Sequence, residues 1–109
     1  MNDAELLRVL KALAHPTRFR MVQEIAAAGE LSCGAIAEKF PVAQPTISHH
    51  LKILSDASVL AVRREGQHGI VSVNRELVGS AAALLPGKLM PRPRARRRPA
   101  ARTAARGSR

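Results

Sequence analysis

The stretch "AQPTISHHLKIL", Ala43–Leu54, decides how the rest of the chain is read. It threads a glutamine, a proline, two hydroxyls, two adjacent histidines and a lysine between Ile47, Leu51, Ile53 and Leu54. At about 100° of rotation per residue, Ile47, Leu51 and Leu54 share one helical face and Ile53 widens it. Pro45, Ser48, His49 and Lys52 recur at i, i+3, i+4 and i+7 on the opposite face, and Gln44 leads the helix. One face is suited to a core. The other carries donors and acceptors, concentrated toward the N-terminal end.

Working outward, "AELLRVLKALA" spaces Leu6, Leu7, Leu10 and Leu13 as the stripe of a first helix, with Val9 beside it. Pro16, preceded by a capping His15, opens a second helix in which Phe19, Val22 and Ile25 share a face with Met21 adjacent. Gly29 stops it. Ser32 caps a short third helix, "CGAIAEKF", with Ile36 and Phe40 inward. After the turn "PVA" comes the fourth helix, from about Gln44 to about Ala57. The period then changes. Val59–Arg64 and Ile70–Asn74 are β-rich arms around the loop "EGQHG", and Asn74 caps a last helix, "RELVGSAAALL". The expected fold is mainly α: four helices, a β-hairpin wing and a C-terminal helix, a winged helix-turn-helix over residues 1–85.

Composition agrees with one small domain. Aromatic residues are 2% of the 109, Phe19 and Phe40, so the core is aliphatic. The net charge is +10, but residues 1–85 hold nine Lys/Arg against eight Asp/Glu. Residues 86–109 hold nine Lys/Arg and no acid. That Pro/Arg/Ala-rich segment lacks apolar periodicity and is expected to be a disordered basic tail that attracts phosphates. A single cysteine, Cys33, excludes an intramolecular disulfide framework. No stretch reaches transmembrane length and no signal pattern opens the chain, so no membrane partner is expected and the cytoplasm is the expected compartment.

In a helix-turn-helix the second helix enters the major groove of double-stranded DNA with its N-terminal residues on the bases. Gln pairs with adenine, Ser serves either kind of base, and Lys reaches guanine or phosphate. The chain resembles the ArsR/SmtB family of bacterial winged-helix repressors over roughly residues 4–78. The marks are "LKALAHPTRFRMV", "LSCGAIAEKF", "QPTISHHLKIL" and "VRREGQH", of which the third is the most specific. The resemblance implies a homodimer held by the first and last helices, with paired recognition helices in successive major grooves. It puts Gln44, Ser48 and His49 at base- or phosphate-contacting positions, with Pro45 and Thr46 on the same turn. Lys52 continues the outer stripe, and Arg63 and Arg64 are wing candidates. Alternation puts those two arginines on opposite faces, so at most one meets DNA squarely.

The chain also departs from the family. Many members sense metal through a Cys-x-Cys pair in the third helix, where this chain has Ser32-Cys33-Gly34. Others use Asp and His on the last helix, and "RELVGSAAALL" has neither. Ala43 stands where a Ser N-cap is usual, and Ser58 where a turn Gly is usual. His49 and His50 point about 100° apart, which suits neither a shared metal ion nor a catalytic pair with Ser48. His49 is expected outward and His50 partly buried. No second cysteine can resolve an oxidised Cys33. No catalytic constellation, cofactor or metal site is expected, and neither a metal nor a small-molecule inducer is assigned. The reading is a sequence-specific, homodimeric transcriptional repressor. Its rivals are a winged-helix protein-interaction module and a nonspecific nucleic-acid binder acting through the tail.

Overall fold

A computed structural model of the chain describes residues 1–93. From residue 94 onward, the expectation of a disordered basic tail lies outside the described residues. In chain order the elements are α1 (Asp3–Leu13), α2 (Pro16–Ala28), β1 (Glu30–Ser32), α3 (Cys33–Lys39), α4 (Gln44–Asp56), β2 (Leu60–Glu65), β3 (His68–Val73) and α5 (Arg75–Leu89).

Local chemistry marks most of the helix ends. Asn2 and Glu5 form a reciprocal capping box on α1, each bond 2.8 Å long. His15 Nδ1 accepts the Thr17 N–H at 3.1 Å, Ser32 Oγ accepts the Ala35 N–H at 3.1 Å, and Asn74 Oδ1 accepts the Leu77 N–H at 3.2 Å. Gly29 ends α2 at φ +87°, a left-handed value that glycine adopts without a Cβ penalty. Ser58 follows α4 at φ +64°, the conformation for which a turn glycine is the usual choice.

The core is aliphatic. Met21, Ile25, Ile36, Ile47, Leu54, Val59 and Val71 are fully buried. On α1 the buried line is Leu6, Val9 and Ala12, while Leu7 is 60% exposed and Leu10 and Leu13 only flank the core. The expected all-leucine stripe is therefore displaced. A three-residue step keeps the line facing its neighbours, and Leu7 lies about 100° away from Leu6. On α2 the line is Met21 and Ile25, and Phe19 is 53% exposed rather than inward. Two residues from Met21 is about 200° of rotation, which carries Phe19 to the far face.

Three further differences concern the sheet and the last helix. Glu30–Ser32 forms a strand pairing antiparallel with β3, so the sheet has three strands in the order β1-β3-β2. Three residues are too few to show alternation, and their pairing partners lie some forty positions downstream. The five-residue loop contracts to Gly66-Gln67, because Glu65 already pairs with His68. Gly66 has φ +61°, as a two-residue turn with Gly first requires. In β3, a Cβ on Gly69 would stand 3.0 Å from Cys33 Sγ, so the half-buried thiol occupies the space a side chain would need. Finally, α5 runs through Pro86 to Leu89, four residues past the expected end at Leu85. An ion pair from Lys88 to Asp3 ties this extension to α1.

Candidate nucleic-acid interface

The α4 helix starts without a side-chain cap. The Ala43 carbonyl accepts both the Thr46 N–H (2.9 Å) and the Ile47 N–H (3.0 Å), and Pro45 has no N–H to satisfy. The proline thus removes one of the orphan donors a capping serine would otherwise serve. Gln44, Pro45, Thr46, Ser48, His49 and Lys52 are all exposed. Ile47, His50 and Leu54 are buried, and Leu51 and Ile53 pack beside them. The six residues picked out on this helix therefore stand together on one solvent-facing surface. Lys52 also pairs with Asp56 at 3.2 Å, an exposed i, i+4 contact worth roughly 0–1 kcal/mol.

The wing separates its two arginines. Arg63 Nη1 and Nη2 donate to the two Glu30 carboxylate oxygens at 2.8 and 3.0 Å, and Nη2 also donates to Glu65 at 2.7 Å. This clasp spans β3 from β2 to β1. The Arg63 hydrogen bond and charge lower the Glu30 carboxyl below its ordinary value, while Glu30 and Glu65 raise Arg63 further above its own. Arg64 projects from the other face of β2, is exposed, and makes no ion pair among the described residues.

A second set of residues bears on α4 from behind. Arg18 Nε donates to the Ala12 carbonyl at 2.6 Å and Nη2 reaches the Lys11 carbonyl at 3.4 Å, at the C-terminal end of α1. Its Nη1 lies 3.3 Å from His50 Nδ1. His15 stacks obliquely on His50 with ring centroids 4.7 Å apart. Burial foremost, then the charges of His15, Arg18 and His49, hold His50 below the ordinary imidazole range. The role of Arg18 was not singled out in the sequence. Its position inside "HPTRF" carries no periodic signal, because its partners come from α1 and α4.

Among the described residues, no cluster of three or more His, Cys, Asp or Glu side chains gathers where it could hold a metal ion. No described helix is long and apolar enough to cross a membrane.

Comparison with known proteins bears on this arrangement. A helix-turn-helix domain family matches residues 13–63. The arsenical resistance operon repressor of Staphylococcus xylosus is 33% identical over 78 residues, covering 72% of this chain and 74% of that protein. The chain belongs to the ArsR family of winged helix-turn-helix regulators. The transcriptional repressor SdpR of Bacillus subtilis is 42% identical over 66 residues, which is 61% of this chain and 72% of that one. An ArsR-like transcriptional regulator from Rhodococcus sp. RHA1 shares the fold, with TM-score 0.69 at 24% identity over 75% of this chain and 76% of its own. A homodimeric winged helix-turn-helix DNA-binding domain from Mycobacterium bovis has TM-score 0.65 at 25% identity, covering 78% and 84%. As an ArsR-family member the chain is a DNA-binding transcriptional regulator. The matched span runs from the end of α1 into β2, and it contains Arg18, His50 and the whole outer face of α4.

Proposed function

We propose that two copies of the chain, joined through α1 and α5, lay the N-terminal half of α4 into successive major grooves and repress transcription by occupying an operator. The supporting observation is the exposure of Gln44, Thr46, Ser48, His49 and Lys52 on one side of a helix whose other side is buried. In this reading Gln44, Ser48 and His49 meet base edges. Pro45 and Thr46 bring the helix end close to the backbone, and Lys52 reaches phosphate. Arg64 is the wing contact, and Arg63 holds the wing in shape. The dimer reading draws on Leu7 at 60% and Leu89 at 73% exposure, which flank a groove with Leu10 and Leu85 between α1 and α5. Apolar side chains exposed together on a small domain favour a two-fold contact. The compartment proposed is the cytoplasm, and no catalytic step is assigned.

The seven arginines of residues 94–109 contribute sequence-blind attraction. Each phosphate neutralised steepens the fall of log K against log salt by roughly 0.9. Truncation after Pro93 keeps all of α5 and should leave operator preference intact while flattening that slope.

The test is selection of bound fragments from a random DNA pool, followed by binding of the Gln44→Ala and His49→Ala variants to the selected operator. Both variants should fold and sediment as dimers. Each should lose roughly 1–3 kcal/mol of discrimination between operator and random duplex. Unchanged preference in both, at matched salt, would remove α4 as the reading element. A Leu7→Glu/Leu89→Glu double variant that remains dimeric would remove the α1–α5 interface.

A further inference from the structure

Among the polar and charged side chains of the described residues, His50 alone is buried, and it lies on the inner side of the helix proposed to meet DNA. Its neighbours are unusual for a buried imidazole. Arg18 faces it from α2, His15 from the α1–α2 joint, and His49 from its own helix. The groups whose charges act on it are these three, and none is a carboxylate. Arg18 in turn donates to the Lys11 and Ala12 carbonyls at the end of α1.

The hydrogen bonds fix the proton bookkeeping. A guanidinium cannot accept, so Arg18 Nη1 donates and His50 Nδ1 accepts, with the His50 proton on Nε2. A backbone N–H cannot accept either, so His15 Nδ1 accepts from Thr17. Both imidazoles therefore use a lone pair at Nδ1. Protonation of His50 at Nδ1 would put a donor against the Arg18 donor and a positive ring beside the guanidinium.

We propose that Arg18, His15 and His50 form a positioning joint that seats the recognition helix on α1 and α2 only while His50 is neutral, so that operator binding weakens on acidification. This rests on the reading of α4 as the DNA-contacting helix. Arg18 anchors one end of the joint on the α1 carbonyls and presents its remaining edge to His50, so the joint links three helices. The direction of the pH effect follows from burial. The unfolded chain takes up the His50 proton first as pH falls below about 6.5, so the seating is complete above that value and is lost progressively below it. Protonated molecules with α4 unseated are not competent to bind, and the apparent affinity falls with the competent fraction.

The experiment measures operator affinity of the full chain from pH 8 to pH 5 at constant ionic strength, for wild type and for His50→Gln. Glutamine can accept from Arg18 through its side-chain carbonyl and does not titrate. Every other titratable group is present in both proteins, so the difference between the two profiles isolates His50. Wild type should lose roughly three- to tenfold more affinity than His50→Gln between pH 7.5 and 5.5. The two should agree to within about twofold at pH 8. Superimposable profiles would overturn the proposal. A histidine proton NMR titration of the wild-type chain without DNA provides a second measurement, which holds even where His50→Gln does not fold. His50 should remain neutral below the ordinary imidazole value of about 6.5, and its protonation should broaden or shift the guanidinium protons of Arg18, its hydrogen-bond partner. A His50 that protonates at or above that value while the Arg18 guanidinium protons are unmoved would overturn the joint. That titration needs no DNA, so the joint can fail while the reading of α4 stands, and the fragment selection can fail while the joint stands.

Discussion

The recognition helix and the wing both present polar side chains to the outside, but they are held in place by different forces. Behind the outer face of α4 lie Ile47 and Leu54, at 1% and 0% exposure. Hydrophobic burial, which salt does not screen, holds that helix down, with buried His50 and its Arg18 contact beside it. In the wing, Leu60 at the start of β2 and Val71 in the middle of β3 are buried. Farther along β2, Val62 is 50% exposed, and Arg63, Arg64 and Glu65 lie open to solvent. There the ribbon is clasped by Arg63 with Glu30 and Glu65, an exposed network that salt screens. A helix one face of which is sealed can offer its other face as a rigid pattern. An outer strand with little core behind it commits one of its own arginines to a clasp across the sheet.

The contrast can be broken at several points. The largest effect should come from Leu54→Ala. Removing a fully buried leucine behind α4 should destabilise the domain by about 2–5 kcal/mol in urea unfolding, with little dependence on salt. A loss under about 1 kcal/mol would mean that the helix is not held by its inner face. Next, Arg64→Ala should weaken binding to all duplexes alike and reduce the salt slope by about 1, without moving the melting temperature. A wing arginine that changes stability but not the salt slope would reverse the roles of Arg63 and Arg64. Arg63→Ala should lower the melting temperature only slightly at low salt and less at high salt, because its partners are half exposed. An undiminished cost in molar salt would show that packing, not charge, holds the wing. The smallest change is a gain. Ser58→Gly, at φ +64°, should stabilise the junction between α4 and the sheet by roughly 0.5–1 kcal/mol. A destabilised Ser58→Gly would mean that the serine side chain supports the turn.

Much of the site was legible because helical periodicity is a local property. The step between Ile47, Leu51 and Leu54 is enough to place Gln44, Ser48, His49 and Lys52 on the other side, and the exposure of those residues follows it. Caps are equally local: His15, Gly29, Ser32 and Asn74 act within a few residues of themselves, and each stands where its side-chain chemistry or conformational freedom suggested. Where several apolar residues competed for one face, periodicity alone chose poorly. Leu7 and Phe19 are as apolar as their buried neighbours, and only the direction from which α2, α4 and the sheet approach decides that Val9 and Met21 go inside instead.

By itself, then, the sequence determined the order of helices and hairpin, the polar face of α4 and the uneven placing of charge, since each of these is written in residue types at short spacing. Tertiary structure alone decided that Glu30–Ser32 becomes a strand, that Arg63 is spent on the wing while Arg64 is left outward, and that Arg18 and His15 stand behind His50. Those contacts join residues thirty or more positions apart, as Arg63 to Glu30 and Arg18 to His50 do. Nothing in local propensity encodes such a distance. It appears only once burial of the aliphatic core has brought the elements together and each buried or clasped polar group has had to find its partner.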